Sequence, residues 1–250
     1  MIFETQVGEW SRPPIGGVNT PNDRLAFMTD EEVREWVELT WPKQYGEPSN
    51  WRGLYRSWLG LDNTHDRTVL DFGCGFGFDA LSYARTGNEV LLADIVHGNL
   101  MAATRVLMAH GYLPSEIVQL NAVPGDFHCD GFDIFHASGV LHHMPAEAAR
   151  RVLYNARVFA NDEAEARLML YTDHLWMQAT KTPTPPIDFE MDTHPAFLDF
   201  VRFCDAVGFH AEWYNEERMQ WLVEGTGWKL LVWEYIRQDN GYGIALLQAE

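Results

Sequence analysis

Basic residues are scarce in this chain: 18 lysines and arginines stand against 36 aspartates and glutamates, for a net charge of −18. Such a surface repels polyanions, and no Lys/Arg cluster stands ready to neutralise phosphates. DNA, RNA and anionic membranes are therefore poor partners. Cysteine is scarce too. Cys74, Cys129 and Cys204 are odd in number and far apart, which gives no disulfide framework and no metal-ligand spacing. No apolar run approaches the roughly 18 to 20 residues that span a bilayer. The opening Met1-Ile2-Phe3-Glu4 lacks the basic start and apolar core of a secretory signal. Repeats and low-complexity tracts are missing as well. The expectation is a reducing, cytoplasmic setting and a small-molecule partner, neutral or cationic, with the oligomeric state left open.

What is present is a globular composition: 250 residues, 46% hydrophobic, 22% charged and 13% aromatic. That suffices for one large α/β domain or a domain with a modest cap. Residues 1–64 read as an N-terminal helical cap or lid. Arg12-Pro13-Pro14-Ile15-Gly16-Gly17 reads as a loop. Thr29-Asp30-Glu31-Glu32 forms a capping box, and the helix behind it puts Val33, Trp36 and Val37 on one face. A second stretch, 51–61, carries Leu54, Tyr55 and Trp58 at helical spacing.

Residues 65–250 read as the main domain. From Thr68 strands alternate with helices, the pattern of a parallel sheet covered on both faces. Strands are expected at 68–72, 89–94, 117–120, 132–137 and 167–172, with helices at 79–86, 98–110 and 145–160. The proline-rich 181–187 cannot be regular, and 173–195 is expected as a loop insertion near a substrate site. Beyond it a helix at 195–207, a strand at 210–214, a short helix at 218–224 and strands at 230–236 and 243–248 are expected.

Val69-Leu70-Asp71-Phe72-Gly73-Cys74-Gly75-Phe76-Gly77 runs from a strand into a glycine-rich turn, where bare backbone can approach a ligand. Asp94 closes the next strand, 21 residues past Gly73. A carboxylate there can accept from both hydroxyls of a ribose. A dinucleotide site would need a third glycine where this chain has Phe78. Phe78 and the acid Asp71 suit a ligand without phosphates, such as S-adenosylmethionine, whose ammonium end Asp71 could reach through water.

These segments, with Leu92-Ala93-Asp94-Ile95 and Phe132-Asp133-Ile134-Phe135-His136-Ala137-Ser138-Gly139-Val140-Leu141-His142-His143-Met144, resemble the class I S-adenosylmethionine-dependent methyltransferases, in their small-molecule branch. The resemblance covers about residues 66–172. It implies a Rossmann-like, doubly wound, seven-stranded, mostly parallel sheet whose last strand is antiparallel. It also implies S-adenosylmethionine as cofactor, with Gly73 and Gly75, flanking Cys74, on the methionine part. Asp94 would bind ribose, Ile95 would pack on adenine, and Ser138 would offer its backbone near the methionine end. The acid that many members place after the third strand is replaced here by Asn121-Ala122, with Asp126 a few residues on.

Methyl transfer from a sulfonium is an in-line displacement, and a base is needed only if the acceptor keeps its proton. Candidate bases are His142, His143 and Asp173, with His174 and Tyr171 nearby. A metal is not expected, because two adjacent histidine side chains point apart and do not easily share one ion. Asp173-His174 reads as a base pair or a solvated turn. The ten tryptophans read mostly as core, with Trp51 and Trp176 bordering the expected pocket, and Cys74 as a space-filler. Two other readings stay open: a methyltransferase-like binding subunit without catalysis, and an enzyme using the bound sulfonium for other chemistry.

Overall fold

The computed structural model describes residues 14–15, 18–19, 21–46, 51–121, 125–204, 210–237 and 241–250. The expected loop at 12–17 is partly a two-stranded ribbon, β1 (Pro14–Ile15) against β2 (Val18–Asn19). The cap follows. Helix α1 (Asp30–Tyr45) starts at the capping box, the Thr29 hydroxyl accepting from the Glu32 N–H and the Glu32 carboxylate accepting from the Thr29 N–H. Its buried stripe is Val33, Trp36 and Val37. Helix α2 (Trp51–Trp58) follows it.

The main sheet has seven strands in the order β5-β4-β3-β6-β7-β9-β8. These are β3 (Thr68–Phe72), β4 (Glu89–Asp94), β5 (Glu116–Gln119), β6 (Phe132–Ser138), β7 (Ala160–Tyr171), β8 (Trp228–Arg237) and β9 (Tyr242–Ala249). β9 runs antiparallel to both neighbours, so the last strand alone reverses, as expected. Alternation along the strands feeds two cores. Val69, Val90, Leu92 and Ile134 pack with the cap and with helices α3 (Phe78–Arg85) and α4 (His97–Ala109). Leu70, Leu91, Phe135 and Leu168 pack on the opposite side with α5 (Ala146–Phe159).

Five expectations need correction. β7 starts at Ala160, where residue 167 was expected. Its first half, Asn161-Asp162-Glu163, is solvent-facing and carries no hydrophobic signal; pairing of Phe132 with Ala160 and of Glu165 with Gln248 makes it a strand. The 173–195 segment is not all loop: α6 (Asp173–Thr180) occupies its start and buries Leu175 and Trp176. The Asp173-His174 pair therefore opens a helix, where a turn was favoured. Residues 210–214 make only a single parallel bridge, Thr172 to Tyr214. The next helix, α7 (Phe197–Phe203), is shorter than expected, and 205–209 lie outside the described residues. Helix α8 (Glu216–Val223) leads to β8.

Candidate functional site at the glycine loop and the turn after strand β6

The loop leaves β3 sharply because Gly73 adopts φ +76°, open to glycine and costly to other residues. The N–H groups of Gly73 and Cys74 both donate to the Ala93 carbonyl, at 2.7 and 3.0 Å, tying the loop to the end of β4. A Cβ on Gly73 would lie 2.4 Å from a Val140 methyl, so the loop and the turn after β6 close on each other here. Cys74 is buried, and burial with the Asp94 and Asp71 charges pushes its thiol well up, keeping it protonated.

Asp94 is 4% exposed. Its Oδ2 accepts the Gly75 N–H at 2.9 Å; its Oδ1 accepts the Val96 N–H at 2.8 Å and the Asn99 amide at 3.2 Å. Burial lifts the carboxyl to about 6, against the pull of those donors. A carboxylate offers about four acceptor directions. The expectation that Asp94 takes two ribose hydroxyls therefore narrows to one, unless a present donor yields. Beside it Ile95 is half-buried, and Gln119 donates to the Ile95 carbonyl at 2.8 Å. Asn121 and Asp126 are exposed; Ala122 lies outside the described residues.

Asp71 is 3% exposed, and its Oδ2 has no hydrogen-bond partner. Burial pushes its carboxyl up to about 7; His136 opposes the rise and the Asp79 and Asp94 charges add to it. Register sets His136 beside it on β6, and beyond His136 stands Arg167 on β7, a polar row inside the cap-side core. His136 Nε2 meets Asp79 Oδ2 at 2.9 Å, and Tyr45 and Tyr55 of the cap donate to Asp79 Oδ1. Although burial opposes it, the His136 hydrogen bond and charge, Tyr45 and Arg56 hold the Asp79 pKa down. Sequence reading missed this cluster. Phe78, in the place of a third dinucleotide glycine, has its ring 5.7 Å from those of both Trp36 and Trp41, so this position serves cap docking.

Past Val140, which closes on the glycine loop, a short 3-10 turn, Leu141–His143, follows β6. It curls the two imidazoles together, with centroids 4.4 Å apart, where adjacent side chains were expected to diverge. His142 is 1% exposed; its Nδ1 accepts the Tyr171 N–H at 3.1 Å. His143 Nδ1 meets the His210 carbonyl at 3.3 Å, and a carbonyl can only accept, so Nδ1 carries the proton. Burial drives the His142 pKa well down and that of His143 to about 4, so both rings are neutral at pH 7. Behind them Glu212 is buried between His210 Nε2 and Arg218, each at 2.7 Å, while its N–H donates to the His142 carbonyl. Ser138, closing β6, is half-buried. Asp173 accepts from the Tyr235 hydroxyl at 3.0 Å. Trp176 does not border an open pocket: it is fully buried against Phe200 and donates to the Pro183 carbonyl. The Trp51 side chain lies outside what is described. Among the described residues no group of three or more His, Cys, Asp or Glu side chains could hold a metal ion.

Residues 69–161, the glycine loop through β6 and α5, match a family described as a methyltransferase domain. Those 93 of the 250 residues carry the glycine loop, Asp94 and the turn after β6, on which the resemblance to class I S-adenosylmethionine-dependent methyltransferases rests. No curated protein matches it. Solved structures share its fold. A Burkholderia thailandensis 1,6-didemethyltoxoflavin-N1-methyltransferase, with bound 1,6-didemethyltoxoflavin and S-adenosylhomocysteine, is 13% identical over 89% of this chain and 91% of that one, TM-score 0.56. A magnesium protoporphyrin IX methyltransferase from Synechocystis PCC 6803 with bound cofactor is 18% identical over 90% and 99%, TM-score 0.53. A Clostridium acetobutylicum S-adenosylmethionine-dependent methyltransferase is 10% identical over 86% and 98%, TM-score 0.60. S-adenosylmethionine or its spent form occupies the first two of these structures, and this chain shares the fold that holds it there. Its crevice suits that molecule. Asp71 keeps a buried oxygen without a partner, of a charge to match an ammonium, and the loop has no basic side chain for a pyrophosphate.

Proposed function

We propose that the chain moves the methyl group of S-adenosylmethionine to a small-molecule acceptor held beside the turn after β6. The observation that carries this is the clasp of Asp94 on the Gly75 N–H, joining the glycine loop to the acid that closes β4. Gly73, Cys74 and Gly75 would line the methionine portion and Asp71 would face its ammonium. Asp94 would hold the ribose, Ile95 would cover the adenine beside Asn121 and Ala122, and Ser138 would offer its backbone near the sulfur. When bound, the cofactor supplies an electrophilic methyl on a sulfonium with a good leaving group already in place. The chain's work is then alignment and exclusion of water.

An acceptor that keeps its proton at neutral pH also needs a base. His143 suits that role: with the proton on Nδ1, its basic atom is Nε2. His142 has spent its Nδ1 lone pair on Tyr171, so its Nε2 carries the proton and the ring serves packing. Asp173, engaged with Tyr235, is the second candidate. Small acceptors fit the acidic surface, and the toxoflavin enzyme of the same fold holds such a molecule. Free cysteines and the lack, among the described residues, of a helix able to cross a membrane support a cytoplasmic setting.

The test is incubation with methyl-labelled S-adenosylmethionine and pooled small molecules, read by mass spectrometry. A labelled product heavier by one CH2, absent with Asp94→Ala, is expected. Cofactor consumed without any methylated product would instead point to other sulfonium chemistry.

A further inference from the structure

The segment that precedes α1 reaches the start of α4, beside the acid that closes β4. Asn22, half-buried in a short 3-10 helix (Asn22–Phe27), donates from Nδ2 to Asn99 Oδ1 at 3.2 Å. Asn99, 2% exposed on α4, donates from its own Nδ2 to Asp94 Oδ1 at 3.2 Å. The direction of this relay follows from the acid at its end. The Asp94 carboxylate already takes two backbone N–H groups and can only accept, so Asn99 must turn its NH2 toward it and its carbonyl toward Asn22. Asn22 must then present its NH2. The approach is close: a Cβ on Gly98 would lie 2.4 Å from Asn22 Nδ2.

We propose that Asn22 is a positioning residue for the ribose end of the cofactor, acting through Asn99 on Asp94. This rests on the reading of Asp94 as the ribose acid. By holding the Asn99 carbonyl, Asn22 keeps the Asn99 NH2 on Oδ1 and so fixes which lone pairs of Asp94 remain for a hydroxyl. Asn22→Asp keeps size and shape but reverses polarity. Its carboxylate attracts the Asn99 NH2, rotates the amide and turns a carbonyl against Asp94.

The experiment is titration calorimetry on the full chain with S-adenosylhomocysteine and with its 2′,3′-dideoxy analogue. The set is wild type, Asn22→Asp, Asn22→Ala, Asn99→Ala, the Asn22→Asp/Asn99→Ala double variant, and Asp94→Ala. Asn22→Asp is expected to weaken the ribose ligand about 10- to 100-fold, as loss of a buried hydrogen bond to a charged group would. It should weaken the dideoxy analogue far less, with Asn22→Ala in between and no added loss in the Asn99→Ala background. Equal weakening of both ligands, an undiminished loss without Asn99, or wild-type binding by Asn22→Asp would overturn the proposal. If Asp94→Ala binds weakly while Asn22→Asp is unchanged, only the role of Asn22 falls. If Asp94→Ala binds normally, the ribose assignment falls and takes this inference with it.

Discussion

The imidazole of His142 accepts the Tyr171 N–H at 3.1 Å while the two rings stack with centroids 3.6 Å apart. A lone pair committed to a buried backbone N–H cannot also take a substrate proton, which separates the two neighbouring histidines by role. His142→Ala leaves that N–H unpaired and opens a gap on Tyr171, and is expected to cost about 2–4 kcal/mol of stability. His143→Gln, which can still donate to the His210 carbonyl, should cost less stability in urea unfolding than His142→Ala and lower kcat for an acceptor that must lose a proton. Equal stability losses in the two variants would contradict the division.

Asp71 gives a pH signature. Its carboxyl sits at about 7 in the fold against about 4 in an unfolded chain, so the native state binds the extra proton between those values. Stability from this group is complete below about 4 and is lost as pH rises through about 7. Asp71→Asn, which stays neutral, should therefore gain on the wild type between pH 5 and pH 8, by at least about 1 kcal/mol in ligand-free urea unfolding. A gap that stays constant with pH would mean the carboxyl is already charged at pH 5.

Gly73→Ala should abolish cofactor binding and destabilise the fold, through the positive φ and the 2.4 Å approach to Val140. Val140→Ala removes the second cause and leaves the first. The double variant is expected to recover part of the melting temperature, and full recovery would show that the backbone conformation costs nothing.

The cap should loosen when its polar anchor is cut. Tyr45→Phe removes a donor to the half-buried Asp79, worth roughly 1.5–3 kcal/mol for a bond to a charged group. Hydrogen exchange in α1 should accelerate more than in β3 and β6. Uniform acceleration would place the loss in global stability.

Much of this was legible in the chain. The glycine turn, the acid ending the second strand and the alternation of apolar runs depend on local pattern, and they foretold a parallel sheet; its reversed last strand followed only from the family resemblance those segments carry. The capping box at Thr29 is equally local. What stayed hidden depends on tertiary pairing. The first half of β7 is polar and is a strand only because β6 and β9 flank it. Helix α6 lay under the proline-rich stretch beyond it. Asp79, His136, Tyr45 and Tyr55 come from four separate elements, and no spacing rule links them. The Asn22–Asn99 contact joins residues 77 apart in sequence.

The central claim is that the crevice between Gly73 and Asp94 grips an adenosyl sulfonium, and titration calorimetry with S-adenosylmethionine and, separately, NADH tests it most directly. One S-adenosylmethionine per chain should bind, weakened by about 1–3 kcal/mol in Asp94→Ala as a ribose hydroxyl loses its partner, with no heat from NADH. Saturable NADH binding that Asp94→Ala abolishes, or no heat at all with saturating S-adenosylmethionine, would contradict it.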